Sequence, residues 1–198
     1  LSVTVPAAER MVETARRVGS TLMMASKFRY VADILTAREY VADGLIGQLV
    51  FYENAFCSRV DMTNRWNSDR EVAGGGVLID NGSHSVDIAR FLCGPLARIQ
   101  AQFAKPVQPI AVEDTARILF ESESGAMGSI DLSWSLHKEI TSFVRLYGSR
   151  GTLEVGWRRS RYKLEGQDDW VSFGTGYDKL DAFREQLEDF ATTIRGDS

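Results

Sequence analysis

The 198-residue sequence predicts an α+β domain with a large sheet, preceded by a fragment of an α/β unit. Three observations carry that expectation. The second half of the chain is a succession of short strand-like segments, and in Ile118-Leu119-Phe120-Glu121 and Met127 to Trp134 polar residues interleave with apolar ones. That alternation suits an antiparallel sheet with one covered face and one more polar face. The chain opens instead with a helical pattern followed by the apolar run Thr21 to Ala25, which reads as half of a parallel α/β unit. Between the two lies a triple glycine, Gly74-Gly75-Gly76, running directly into a long helical segment that stops at Cys93-Gly94-Pro95, a helix-ending signal. The division falls near Ser26 to Arg29, separating residues 1–26 from 27–198.

Taken in order, Thr4 and Pro6 form a helix start, since threonine caps and proline is tolerated in the first turn. Ala8, Met11, Val12, Ala15 and Val18 follow at helical spacing until Gly19. A second helix begins at Val31, with Ile34, Leu35, Val41 and Ala42 on one face and Gly44 closing it, as amphipathic periodicity and a terminal glycine suggest. Gln48 to Cys57 is a strand, rich in β-branched and aromatic residues. Residues 58 to 74 form a long polar loop containing Arg59, Asn64, Arg65, Trp66, Asn67 and Arg70, and a loop of that length in a compact domain is usually functional or disordered. After the glycine-led helix come strands at Ile99–Phe103, Thr115–Glu121, Ala126–Leu136, Ser142–Tyr147, Thr152–Val155, Arg161–Leu164 and Trp170–Phe173. A last helix starts near Asp178 and carries Leu180, Phe183, Leu187, Phe190 and Ile194 as its expected buried stripe.

Bulk properties narrow the function. A formal charge of −4 gives no electrostatic reason to expect nucleic acid or an anionic membrane as partner. No apolar run approaches the roughly 20 residues that cross a bilayer, and no basic segment followed by an apolar one marks a signal peptide. Cys57 and Cys93 lack the paired spacing of a zinc site and are expected to be reduced thiols in a cytoplasmic protein.

The chemistry concentrates in the glycine-led helix. Asp80 and His84 are four residues apart and so share a helix face. A histidine titrates near neutrality, and a neighbouring carboxylate can orient it and favour its protonated form. The pair is a workable acid/base couple, with a capped helix and a hydrogen-bonded core histidine as the plainer alternative. Asp87 lies on nearly the same face and would complete a metal site with the pair, but pairing with Arg90 is the simpler expectation, and no metal site is assigned. Lys27-Phe28-Arg29-Tyr30 is a dense polar-aromatic cluster at the carboxyl end of the first strand, where α/β sheets place ligands. His137 ends the Ala126–Leu136 strand; Arg158, Arg159, Arg161 and Lys163 read as a solvated basic strand paired with Glu154 and Asp168; Gly174-Thr175-Gly176 reads as a flexible loop. No Gly-x-Gly-x-x-Gly dinucleotide fingerprint occurs.

Several segments in this order resemble the glucose–fructose oxidoreductase / inositol dehydrogenase (Gfo/Idh/MocA) family. They are Ala8 to Arg17, Lys27-Phe-Arg-Tyr30, Asp43-Gly-Leu-Ile-Gly47, Gly74-Gly-Gly-x-x-x-Asp-x-Gly-x-His84, Val112-Glu-Asp114, Gly125-Ala-Met-Gly128 with Trp134, Tyr147-Gly-Ser-Arg-Gly151 and Phe190 to Gly196. The resemblance implies a large, open, mainly antiparallel sheet flanked by helices, with residues 1–26 the last helix and strand of a truncated Rossmann domain. Residues 27–198 would be the substrate-binding and oligomerisation domain. It implies an NAD(P)-dependent oxidoreductase that moves hydride between NAD or NADP and a sugar, cyclitol or related polyol. His84 would exchange the carbinol proton, and Asp80 would orient that imidazole or bind the reacting hydroxyl. Lys27, Phe28, Phe56, Ser58 and His137 fall near the family's substrate contacts, with Phe28 and Val31 departing from its pattern. The family's catalytic lysine and phosphate-binding glycines would precede Leu1, so this chain is expected to hold no cofactor-binding residues and to be inactive alone. A homodimer or homotetramer through the sheet is expected. The rival expectations are a non-enzymatic binding or assembly domain, and redox-neutral chemistry such as epimerisation or glycoside cleavage on tightly bound NAD.

Overall fold

The computed structural model describes residues 2–196. Helix α1, Val5–Val18, is capped at its start by Thr4, whose hydroxyl accepts from the Ala7 N–H at 3.4 Å, and at its end by left-handed Gly19. A 3-10 turn, Lys27–Tyr30, leads into α2, Ala32–Ala42. Then come β1 (Leu49–Cys57), the short helix α3 (Arg70–Ala73) and the long helix α4 (Val77–Cys93). Seven strands follow without interruption: β2 (Leu96–Phe103), β3 (Thr115–Ser122), β4 (Met127–Ser133), β5 (Ser142–Gly148), β6 (Gly151–Gly156), β7 (Ser160–Leu164) and β8 (Val171–Gly174). Helix α5, Lys179–Arg195, comes last, with the Asp178 carboxylate accepting from the Leu180 and Asp181 N–H groups.

The eight strands make one open sheet in the order β2-β3-β4-β1-β5-β6-β7-β8. Only β1 and β4 pair in parallel; every other pair is antiparallel. Side chains alternate across the sheet as strand geometry requires. Tyr52, Ile118, Phe120, Ile130, Leu132, Leu146 and Leu153 face the core and are almost completely buried. Helix α4 lies over this face against β1, β3 and β4, contributing Val77, Ile88, Ala89 and Leu92. Gly82 sits in the middle of α4, where a Cβ would come within 3.0 Å of Leu132 Cδ1. Its helix-propensity cost, about 1 kcal/mol relative to alanine, is set against a closer approach of helix to sheet. The opposite face carries cross-strand ion pairs: Arg98–Glu121, Arg117–Asp131, and Glu154 shared by Arg145 and Arg161.

Helix α4 has no cap of its own, because its N-cap residue is Gly76. A distant loop supplies one. The Glu113 carboxylate accepts from the Gly76 and Leu78 N–H groups at 2.9 and 3.2 Å, and the Glu113 carbonyl accepts from Val77 at 2.9 Å. A carboxylate there satisfies unpaired amide donors and lies at the favourable end of the helix dipole. The loop approaches so closely that a Cβ on Gly76 would collide with the Glu113 carbonyl oxygen. The neighbouring Asp114 is buried and accepts from the Val107 and Gln108 N–H groups and the Ser135 hydroxyl.

Several expectations need correction. Thr21 to Ala25 is not a strand: the segment joins no ladder, and an apolar run becomes a strand only beside partners for its backbone groups. The strand expected over Ala126–Leu136 ends at Ser133, because the Trp134 N–H donates to Asp114 O and the chain turns away. The buried face of α2 is Asp33, Ile34 and Ala37, while Leu35 faces outward. The apolar stripe of α5 also faces outward, with Leu180 74% and Leu187 64% exposed. That helix packs on the 3-10 turn through the face of Ala182 and Gln186. Gly174-Thr175-Gly176 is tightly packed rather than loose, since Cβ atoms would strike the Asp33 carboxylate at Gly174 and lie 2.6 Å from Arg158 Cα at Gly176. Cys57 and Cys93 are free, as expected.

Substituting Gly76→Ala forces the helix start and the Glu113 loop apart, so it is expected to cost about 2–3 kcal/mol in urea unfolding. Glu113→Ala, which removes only the cap, should cost about 1 kcal/mol. Equal, negligible effects would show that the close approach does not hold α4 in place.

Candidate active site

Asp80 and His84 stand on successive turns of α4, on the side facing the 3-10 turn and the 58–74 loop. Both side chains are partly buried. Asn67, from that loop, donates to Asp80 Oδ2 over a long 3.5 Å. The edge of the His84 ring meets Phe28 at 5.4 Å between centroids and 69° between planes. Among the described residues, no hydrogen bond joins Asp80 to His84. Their coupling is through space.

The surroundings of His84 reverse the expected direction of its titration. Burial lowers its pKa below the ordinary value, Lys27 lowers it further, and Asp80 and Asp87 oppose both. The neutral imidazole is therefore the form held at neutral pH. Burial likewise lowers the Lys27 pKa, opposed by Asp80. Asp87, expected to pair with Arg90, instead takes Arg29 in a two-point ion pair, with Nε to Oδ2 at 3.2 Å and Nη2 to Oδ1. Such fork-to-fork contacts fix orientation as well as charge. Arg29 also stacks over Phe91 at 4.9 Å, so the 3-10 turn is clamped onto α4.

Behind the pair lies a cluster of aromatic rings. Phe28 contacts Phe56 at 4.7 Å, Tyr177 at 5.1 Å, Phe143 at 5.9 Å and Trp157 at 6.5 Å. The rings come from the 3-10 turn, β1, β5, the β6–β7 turn and the loop before α5. Asp33, only 5% exposed, ties that last loop down by accepting from the Gly176 N–H at 2.7 Å and from the Ser160 hydroxyl. The close fit of Gly174 and Gly176 around Asp33 and Arg158 then sets the position of Tyr177.

Of the residues singled out in the sequence, Lys27 and Phe28 lie beside the Asp80–His84 pair, and Phe56 is buried directly behind Phe28. Ser58 and His137 are exposed and are not joined to the pair by any contact among the described residues. Both leave the same end of adjacent strands: Ser58 follows Cys57, whose register partner on β4 is Ser133, and His137 follows Ser133 in the next loop. The basic strand is in part paired as expected, Arg161 with Glu154 at 2.9 Å, while Lys163 donates to the Asp168 backbone carbonyl. Sequence reasoning missed Glu113, Asp33, Trp157 and Tyr177. Asp33 had a local signal, an acid set among the apolar residues of a helix face; the others are brought in by contacts distant in sequence.

Acidification tests the His84 environment. A histidine with a lowered folded pKa contributes stability above its unfolded value, about 6.5, and loses that contribution as pH falls through the folded value. Between pH 7 and pH 5 the wild-type chain should therefore lose more unfolding free energy than His84→Gln. Parallel losses in urea titrations would show that His84 is not held neutral.

Residues 34–154 match the GFO/IDH/MocA C-terminal domain. The D-apiose dehydrogenase of Paraburkholderia graminis is 31% identical over 170 residues, spanning 83% of this chain and 44% of that protein. The NADP(+) D-xylose 1-dehydrogenase of Haloarcula marismortui is 22% identical over 215 residues, covering 100% of the chain and 57% of the relative. The chain thus spans about half the length of these curated relatives. Among solved structures, an inositol dehydrogenase homolog from Azotobacter vinelandii complexed with NAD+ superposes with a TM-score of 0.84. It is 23% identical and matches 98% of this chain and 60% of its own, a likeness that establishes the shared fold. With 121 consecutive residues matched and the expected sheet in place, the chain belongs to the GFO/IDH/MocA family and carries its C-terminal domain.

Proposed function

We propose that the complete protein is an NAD(P)-dependent oxidoreductase acting on a sugar, cyclitol or related polyol, and that this chain supplies the proton-handling half of its site. Residues 27–198 would be the substrate-binding domain and residues 1–26 the last part of a Rossmann domain. The names of the relatives support a polyhydroxylated substrate and a nicotinamide cofactor. The observation that carries the reading is a half-buried histidine, held neutral and placed one helical turn from an acid.

Oxidising a secondary alcohol to a ketone removes a hydride from carbon and a proton from oxygen. Hydride transfer to a bound nicotinamide would supply the redox chemistry. This sequence has no glycine-rich phosphate loop, so no dinucleotide contact is assigned to its residues. Their part is the proton. Neutral His84 has a ring nitrogen free to accept it, which suits a general base whose pKa lies near or below the working pH. Asp80, with Asn67 against its carboxylate, would stabilise the imidazolium that forms. Lys27 and Phe28 would border the substrate, Phe56 would back Phe28, and Ser58 and His137 would contribute from the ends of β1 and β4.

The polar face of the sheet supports self-association. Phe51, Leu119 and Met127 are about half exposed there, lining a shallow depression of about 870 Å³ with Glu53, Arg98 and Glu121. Exposed apolar patches rimmed by charge mark contact surfaces. A homodimer or homotetramer would cover this one, and a two-fold contact would meet its own copy.

In the complete protein, His84→Ala should lower turnover by about 10²- to 10⁴-fold, the usual contribution of a general base. A variant within about twofold of wild type would remove His84 from the chemistry. For assembly, Leu119→Glu with Met127→Glu should reduce the mass measured by sedimentation equilibrium to that of a monomer. An unchanged mass would place the interface elsewhere.

A further inference from the structure

The Lys27 side chain has an unusual setting. Its ammonium lies 5.2 Å from the Phe28 ring centroid, 5.9 Å from Tyr177 and 5.0 Å from Phe183. Those rings belong to three separate segments: the 3-10 turn, the loop pinned by Asp33, and α5. Among the described residues, Lys27 makes no ion pair and no side-chain hydrogen bond, and Asp80 acts on it through space. Ring faces attract a cation and cost it less desolvation than alkane, so the cage holds the charge in place without neutralising it. The surroundings of His84 carry few other charges. On its own helix are Asp80 and Asp87, and Asp87 is already taken by Arg29 of the 3-10 turn. Phe28, the ring it touches, is uncharged. Lys27 is left as the cation that acts on His84, while Lys27 itself is acted on by Asp80.

We infer that Lys27 is a positioning residue for the reaction proposed above: the three-ring cage fixes a positive charge that has no contact ion pair beside His84 and so keeps the imidazole free to take a proton. The inference deepens that reading, because a fixed cation makes the resting histidine a proton acceptor, while Asp80 and Asp87 favour its charged form. Phe183 lies against the Lys27 ammonium, whereas Leu180, Leu187 and Ile194 of the same stripe face outward.

The test does not need the reaction. The His84 ring can be titrated by NMR in this 198-residue chain, with His137→Gln removing the second histidine signal. Lys27→Met keeps the length and apolar contacts but deletes the charge, and should raise the His84 midpoint by about 0.5 pH unit or more. Lys27→Arg, which keeps a cation over the rings, should restore the wild-type midpoint. Phe183→Leu, which opens one wall of the cage and keeps the charge, should shift the midpoint part of the way. An unchanged midpoint in Lys27→Met, or equal shifts in the Met and Arg variants, would overturn the inference. If the midpoint moves as expected while His84→Ala leaves turnover of the complete protein intact, Lys27 governs His84 but the proposed reaction is wrong.

Discussion

The constraint on which the site depends is the meeting of the Glu113 loop with the first turn of α4. A helix that starts at glycine has amide donors with nothing of its own to satisfy them. Here the donors are met from a loop 37 residues away in sequence, and glycine at position 76 is what lets that loop come close enough. The same loop carries Asp114, which gathers the 107–108 segment and Ser135 around its carboxylate. One short acidic stretch thus fixes where α4 begins and where β4 stops. Since Asp80 and His84 lie on the first turns of α4, their height above the sheet follows from that contact.

Depth and charge then decide what the pair can do. A carboxylate four residues before a histidine would by itself favour the imidazolium. Burial against Phe28 and the nearby Lys27 work the other way and prevail. The acid and the base are coupled through space rather than by a shared hydrogen bond, leaving both free to meet a third group. Asp33 contributes from behind: by anchoring the glycine loop it sets Tyr177 against Phe28 and Lys27. The second carboxylate on the helix, Asp87, is spent on clamping Arg29 and the 3-10 turn to α4.

Much of this was legible in the sequence because it is local. Alternation in Ile118–Glu121 and Met127–Trp134 identified strands with one polar face, and the triple glycine before the helix and Gly94 after it bounded the helix. The Asp80–His84 spacing placed the pair on one face without any structure. Other features are not local and could not be read this way. Helical periodicity shows that Leu180, Phe183 and Leu187 share a face, but not whether that face is covered; α5 packs through Ala182 and Gln186 instead. An apolar run such as Thr21–Ala25 becomes a strand only beside a neighbour. The roles of Glu113, Asp33 and Lys27 come from contacts between segments far apart in the chain, and the sign of the His84 shift follows from those contacts.

The central claim is that His84, kept neutral by its surroundings, takes the proton in the proposed oxidation. The most direct measurement is the pH dependence of kcat/KM for alcohol oxidation by the complete protein, compared between wild type and His84→Ala. The wild type should lose activity with unit slope on the acid side of a midpoint below about 6.5, the ordinary histidine value. That limb should be absent from the slower variant. The same limb in both proteins would contradict the claim, because the group titrating would not be His84.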